Sequence, residues 1–398
     1  MLIRFRLPLL AAVAAALLPL TACSGGGPHP VFTEPLAAQP EAAVQVTRDE
    51  GSVSFTQTVT YGTEWGDAVQ TTTGRLDFAH NRGAAKRSWQ IPTKLPADMR
   101  EALLGPAPLH GPVETDAAIA VDKQFVHYRP GPARYWLRYG ADPGSPLDGS
   151  DEIRSLRGRT AAVGGTLLEI AGGARATAEQ NAPGGGSSYR AEVPLSDAWF
   201  LFPERVRAEM TQAWPASSAG ASPVRMTLTV DAAGRITVAE ADLSALIDRE
   251  NRALSDVTGL RIRLALSGHG SSEPAVPGSS DTVLDPAEAV VAMYYGGAEP
   301  GDCLDFGTGV GLVGIAVRVN CDMPHAARVY AREPLGNLAY APEAESDGMA
   351  SDRCDQAYLQ APDRWTEGAV DDMIWFAYTG EEDWGHPEAA LTCYVLSR

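Results

Sequence analysis

The chain has 398 residues, 44% of them hydrophobic, and a formal net charge of −18 from 32 basic and 50 acidic side chains. A surface so acidic repels phosphate backbones, which excludes a nucleic-acid partner. The length exceeds what one hydrophobic core usually organises, so two domains are expected.

The opening "MLIRFRLPLLAAVAAALLPLTAC" is an address. Arg4 and Arg6 precede an uncharged apolar run from Leu7 to Leu20, too short to span a bilayer comfortably but suited to a signal-peptide core. Leu20-Thr21-Ala22-Cys23 then matches the lipobox of bacterial lipoproteins, against the alternative of an ordinary secretory signal with a chance cysteine. Residues 1–22 are therefore expected as signal peptide, Cys23 as lipid anchor and residues 23–44 as acylated tether. The Gly/Ser run of "SGGGPHP" makes such a tether flexible, and two acyl chains hold a protein stably on a membrane. The expected location is the extracytoplasmic face of the cell membrane.

Residues 45–270 read mostly as strands. "VSFTQTVTYG" puts Val53, Phe55, Val59 and Tyr61 on one face, with Gln57 the single polar exception. "LRIRLALSG" sets Leu260, Ile262, Leu264 and Leu266 opposite Arg261, Arg263 and Ala265. "RMTLTVDAAGRITVAEADLS" is two alternating runs joined by a turn at Asp231–Gly234. Such alternation predicts an antiparallel sheet with one apolar and one wet face. Helices are expected at Gly158–Ala171, interrupted by Gly164-Gly165, and at Pro203–Trp214, with its proline near the start. A long sheet with so few helices either closes on itself or keeps an apolar hollow.

Together with "GRLDFAHNRG", "YWLRYG" and "SSYRAEVPLSDAWFLFP", these segments resemble the LolA-like envelope lipoproteins of actinobacteria over about 225 residues. The resemblance implies an α+β fold, a curved antiparallel β half-barrel with covering helices, in which several members carry a lipid or glycolipid. The cavity-lining residues it suggests here are Trp89, Phe125, Trp136, Leu168, Ile170, Trp199 and Phe202. Plain core packing is the alternative for each.

The Pro/Gly/Ser-rich "GSSEPAVPGSSDTVLDP" marks a seam, with residues 271–298 expected as linker and 299–398 as a second domain. Residues 281–398 hold 6 Arg and no Lys against 21 acidic residues, a net of −15, so nearly all the negative charge lies there.

Within that part, "CLDFGTGVGLVGIAV" carries Gly307, Gly309 and Gly311 in the manner of a methyltransferase cofactor loop. Such a loop must lead into a crossover helix and a parallel strand. Here Ile315, Val317 and Val319 alternate with Ala316, Arg318 and Asn320, a strand period, and Pro324 soon ends the element. A turn between two strands is expected instead, and no cofactor.

Besides Cys23 the cysteines are Cys303, Cys321, Cys354 and Cys393. Outside the cytoplasm an even set reads as two disulfides, and no C-x-x-C spacing points to zinc. "GDCLDF", "CDMPH", the cysteine of "MASDRCDQAY" and that of "LTCYVLSR" resemble the septum-formation domain of actinobacterial envelope proteins over about 100 residues. One departure is His386 after Trp384-Gly385, where that family usually has a basic residue. Of three pairings, Cys303–Cys321 with Cys354–Cys393 is favoured, the first across the glycine turn and the second from a helix to the last strand. A small disulfide-stapled α+β domain is expected.

Catalytic signatures are sparse. His325, three residues from Asp322, is the best acid–base candidate, against a histidine simply hydrogen-bonded at a strand end. Asp371-Asp372 and Glu381-Glu382-Asp383 lack the alternating spacing of a calcium loop, so no metal site is expected. Neither a Gly-x-Ser-x-Gly elbow nor a His-Glu-x-x-His pair occurs. The expectation is a non-catalytic envelope lipoprotein that binds or carries a lipid or glycolipid. The alternative is a protein-interaction module in septum formation or cell-wall assembly, with the barrel as spacer and division or wall proteins as partners. An envelope hydrolase ranks third.

Overall fold

The computed structural model describes residues 28–104, 114–120, 123–128, 135–139, 153–203, 207, 223–247, 256–271, 273–306, 315–336, 338–367 and 369–397. Cys23, the signal peptide, the glycine turn at 307–314 and the expected helix beyond Pro203, apart from Arg207, lie outside the described residues.

Alternating sequences build the first sheet. Its strands are β1 (Ser52–Thr63), β2 (Ala68–Asp77), β3 (Arg82–Gln90), β4 (Glu114–Ala120), β5 (Lys123–Tyr128), β6 (Trp136–Tyr139), β7 (Arg175–Ala182), β8 (Gly186–Val193), β9 (Val224–Val230), β10 (Ile236–Asp242), β11 (Val257–Ser267) and β12 (Val283–Leu284). They lie in the order β12-β6-β5-β4-β3-β2-β1-β11-β10-β9-β8-β7 and curl into an antiparallel half-barrel, with only β12 parallel to its neighbour. On β1, Val53, Phe55, Val59 and Tyr61 are buried, as are Leu260, Ile262, Leu264 and Leu266 on β11 beside it. The β9–β10 turn closes at Asp231, whose Oδ1 accepts from the amides of Ala233 and Arg235, both at 3.0 Å. Gly234 there has φ +78°, a conformation that suits glycine.

Helices cover the inner face. In α1 (Gln39–Asp49) Pro40 sits in the first turn, where its missing N–H costs nothing. Ala43, Val44 and Thr47 are buried, and Thr47 Oγ1 accepts from the Ile236 amide at 2.9 Å, fixing α1 to β10. Part of α1 falls within residues 23–44, expected as tether. From Pro30 onward that stretch is folded, and Val31 is 2% exposed in the core. Two shorter helices are α2 (Ala97–Leu104) and α3 (Thr166–Gly173). The helix expected from Gly158 starts only at Thr166, because Gly164 and Gly165 turn the backbone to φ +133° and +72°. The residues before them wrap Glu169, whose carboxylate accepts from Thr160 Oγ1 at 2.6 Å and from the Thr160 amide at 3.1 Å.

A second sheet follows, built from β13 (Val290–Ala292), β14 (Cys303–Asp305), β15 (Ile315–Val319), β16 (Ala327–Pro334), β17 (Ala369–Ala377) and β18 (Ala390–Ser397) in the order β13-β15-β14-β16-β18-β17. Helix α4 (Glu343–Tyr358) packs against β16–β18. Strands β14 and β15 are antiparallel, with Cys303 opposite Val319, so the glycine segment joins neighbouring antiparallel strands and not a parallel crossover. Disulfides join Cys303 to Cys321 and Cys354 to Cys393.

The sheets are not isolated from each other. Within residues 271–298, β12 pairs with β6 of the first sheet and β13 with β15 of the second. Tyr135 donates to Asp305 across the junction at 2.8 Å, and Cys303, Val317 and Val319 belong to the same apolar cluster as the half-barrel core.

Candidate functional site

Cross-strand register assembles the inner face row by row. Val59, Gln70 and Trp89 stand opposite one another on β1, β2 and β3, and so do Gln57, Thr72 and Arg87. The next row, Phe55, Gly74 and Ala85, is apolar, and a Cβ at Gly74 would lie 2.3 Å from the Ala84 carbonyl oxygen. A polar band thus crosses the wall, with Gln70 of the neighbouring row beside it. Gln70, Thr72 and Arg87 are 7%, 4% and 7% exposed, which is costly for an arginine unless its charge is hydrogen-bonded or paired. Over the band, Gln57 Nε2 donates to Ser155 Oγ at 3.1 Å, and Arg154 Nη1 donates to the Phe202 carbonyl at 2.8 Å. Between them is a hollow of about 30 Å³ whose walls include Gln57, Gln70, Arg154, Thr166 and Leu167, room for a water or two.

Of the seven residues suggested as lining, the six whose side chains are described do not all converge on one space. Leu168, Ile170 and Phe202 are 0%, 5% and 0% exposed and form part of the packed core. Trp199 is half-buried and meets Phe202 with ring centroids 5.8 Å apart. Trp89, also half-buried, stacks on Tyr61 with centroids 5.8 Å apart and adjoins the polar band. Trp136 sits at the far side of the sheet, where Val283 pairs beside it. Phe125 lies on β5, but its side chain is outside the described residues. The band itself had one sequence signal, Gln57 interrupting an apolar face. Thr72 and Arg87 had none, because their own strands do not alternate cleanly.

Other chemistry-bearing residues are engaged structurally. His325 Nδ1 donates to the Met323 carbonyl at 2.9 Å. Trp384, 3% exposed, donates to the Leu338 carbonyl at 2.9 Å, while His386 Nδ1 accepts from the Glu388 amide. Asp77, His80 and Glu273 bring three potential ligand atoms within 4.8 Å of one another. Arg82 bridges Asp77 and Glu273 at 3.1 and 3.2 Å, so a cation already occupies that role. Burial pushes the Asp77 carboxyl up, but hydrogen bonds from His80 and Arg82 outweigh it and hold the group below its ordinary value. Among the described residues, no helix is long and apolar enough to cross a membrane.

No family model matches the chain, and no curated protein sequence matches it. Among solved structures it is similar to LprF from Mycobacterium bovis, at 13% identity and a TM-score of 0.30 over 64% of this chain and 99% of that one. It is also similar to the Mycobacterium tuberculosis lipoprotein LppX, at 12% identity and a TM-score of 0.25 over 61% of this chain and 98% of that one. MucB, in its complex with MucA(peri), is similar at 9% identity and a TM-score of 0.24 over 91% of this chain and 93% of that one. Likenesses so distant carry no inference about function, and the half-barrel assignment rests on the strand order and register above.

Proposed function

We propose that this chain is a non-catalytic envelope lipoprotein, anchored through Cys23 on the extracytoplasmic face, whose half-barrel binds a lipid or glycolipid. Residues 45–270 and 299–398 are then its two domains, and the acidic one is of the septum-formation type. The observation that supports binding is the polar band of Gln57, Thr72 and Arg87 beside the apolar row of Phe55, Gly74 and Ala85, an arrangement that orients an amphiphile by its head while apolar side chains take its chains. Leu168 and Phe202 are packed in the core, and the hollow at the band is only about 30 Å³. On this reading the ligand's head therefore sits at the band on the β1–β3 side, next to Trp89, and its chains enter by displacing the covering residues Phe200 and Leu201.

Native mass spectrometry of the full chain carrying Cys23→Ser, purified from bacteria rich in envelope glycolipids, tests this. The expected result is an extra mass that extracts into organic solvent and is reduced in both Arg87→Met and Gln57→Leu. A bare mass from folded protein, unchanged on incubation with an envelope lipid extract, would sink it. A second reading, an interaction module for division or wall proteins, is favoured by Leu359 at the end of α4 and Met373 on the edge strand β17, 85% and 51% exposed.

A further inference from the structure

A second concavity lies on the outer side of the helix layer, away from the polar band. One side of α1 presents Glu41, Val44 and Arg48 to it, at the three- and four-residue spacing of a single helix face. The opposite wall is α3 with the residue that follows its end, Ala174, and then Arg175. The two helices pack closely here, since a Cβ at Gly172 would make an ordinary contact with Val44 at 3.5 Å. The resulting open groove has a volume of about 560 Å³, within the range of small-ligand sites.

Its charges are unevenly used. Glu169, on the wall, spends its carboxylate on the Thr160 amide and hydroxyl. Glu41 stands on the exposed rim. Arg48 and Arg175, by contrast, make no ion pair or side-chain hydrogen bond among the described residues. Arg48 Nε is buried without an acceptor, and its guanidinium lies against Gly164, where a Cβ would sit 3.6 Å from Nη2. A half-buried arginine left without an acceptor is costly, and an oxyanion is the group whose geometry its fork fits. The floor next to the arginines is apolar, formed by Val44, Ala38 and Ala174.

We infer that this groove binds the anionic phosphate headgroup of an amphiphile, with Arg48 and Arg175 on the phosphate and the first methylenes of its chain over Val44 and Ala174. The inference goes beyond the half-barrel reading and uses none of its residues, so either can fail while the other stands. The test is calorimetric titration of the full chain carrying Cys23→Ser with dodecyl phosphate, below its micelle concentration, and in parallel with inorganic phosphate and dodecyl maltoside. Dodecyl phosphate is expected to bind at least about tenfold more tightly than either of the other two. Arg48→Gln combined with Arg175→Gln is expected to weaken it by about tenfold or more, as loss of charge-assisted hydrogen bonds implies. Arg190→Gln combined with Arg225→Gln, on the exposed outsides of β8 and β9, removes the same two charges and is expected to leave binding unchanged. Thermal melts of each variant establish that folding is intact. Equal binding of inorganic phosphate would make the occupant a free phosphate and overturn the amphiphile. Equal binding of the maltoside, or no effect of the double substitution in a folded variant, would overturn the site.

Discussion

At the scale of single residues, two side chains carry measurable consequences. Asp77 is 3% exposed and meets His80 at 2.9 Å and Arg82 at 3.1 Å. Because its carboxyl is held below its ordinary value in the folded chain, its contribution to stability is complete above the unfolded value of about 3.9. That contribution is lost as the pH falls through the folded value. Urea unfolding of the wild type and Asp77→Asn should therefore differ at pH 7 and converge in strong acid; a gap that persists at the lowest pH would contradict the assignment. Leu168 is 0% exposed within the core. Leu168→Ala should cost about 2–5 kcal/mol through lost burial and a residual cavity, read in the same experiment. A loss below about 1 kcal/mol would mean that the site is looser than its packing indicates.

Elements show how far pattern alone reaches. The four leucine and isoleucine residues of β11 alternate without a break, and all are buried, because a strand with one wet face leaves period two in its sequence. The turn at Asp231–Gly234 was legible for a similar reason, since its residue types fit only a few backbone shapes. Helix α1 was not legible: "QPEAAVQVTRD" follows a Gly/Pro-rich stretch, and what holds it in place is the Thr47 bond to β10, far along the chain. Nor was β12, whose two residues are too few to show any period. The polar band and the groove share this limit, because register and helix packing bring together residues that no local pattern links. The disulfides offer a test at this scale. Replacing either pair by serines should lower stability by about 2–4 kcal/mol. Cys354–Cys393 spans 39 residues against 18 for Cys303–Cys321, so its loss should cost about 0.7 kcal/mol more on chain entropy alone. Denaturant midpoints of the two double variants check the order, and a reversed order would show that local packing outweighs loop length.

For the whole molecule, what matters is that the two sheets share a core. With Tyr135 bonded to Asp305 and Val317 and Val319 in the half-barrel's apolar cluster, calorimetry should give one unfolding transition. Tyr135→Phe should lower stability by about 1.5–3 kcal/mol, the range for a hydrogen bond to a charged group. Two separate transitions in the wild type would refute the shared core. The placement of β1 has a consequence of another kind, in the order of synthesis. It lies in the middle of the first sheet, paired on one side with β2, the next strand made, and on the other with β11, whose Arg263 faces Thr58. A chain made from its N-terminus therefore presents β1 with an open edge until residue 267 has appeared. Sheets closed by such distant pairings form slowly and are prone to mispairing meanwhile. Folding of this sheet is thus expected to wait on its eleventh strand, and a nascent chain stalled before residue 257 would have no native partner for that edge.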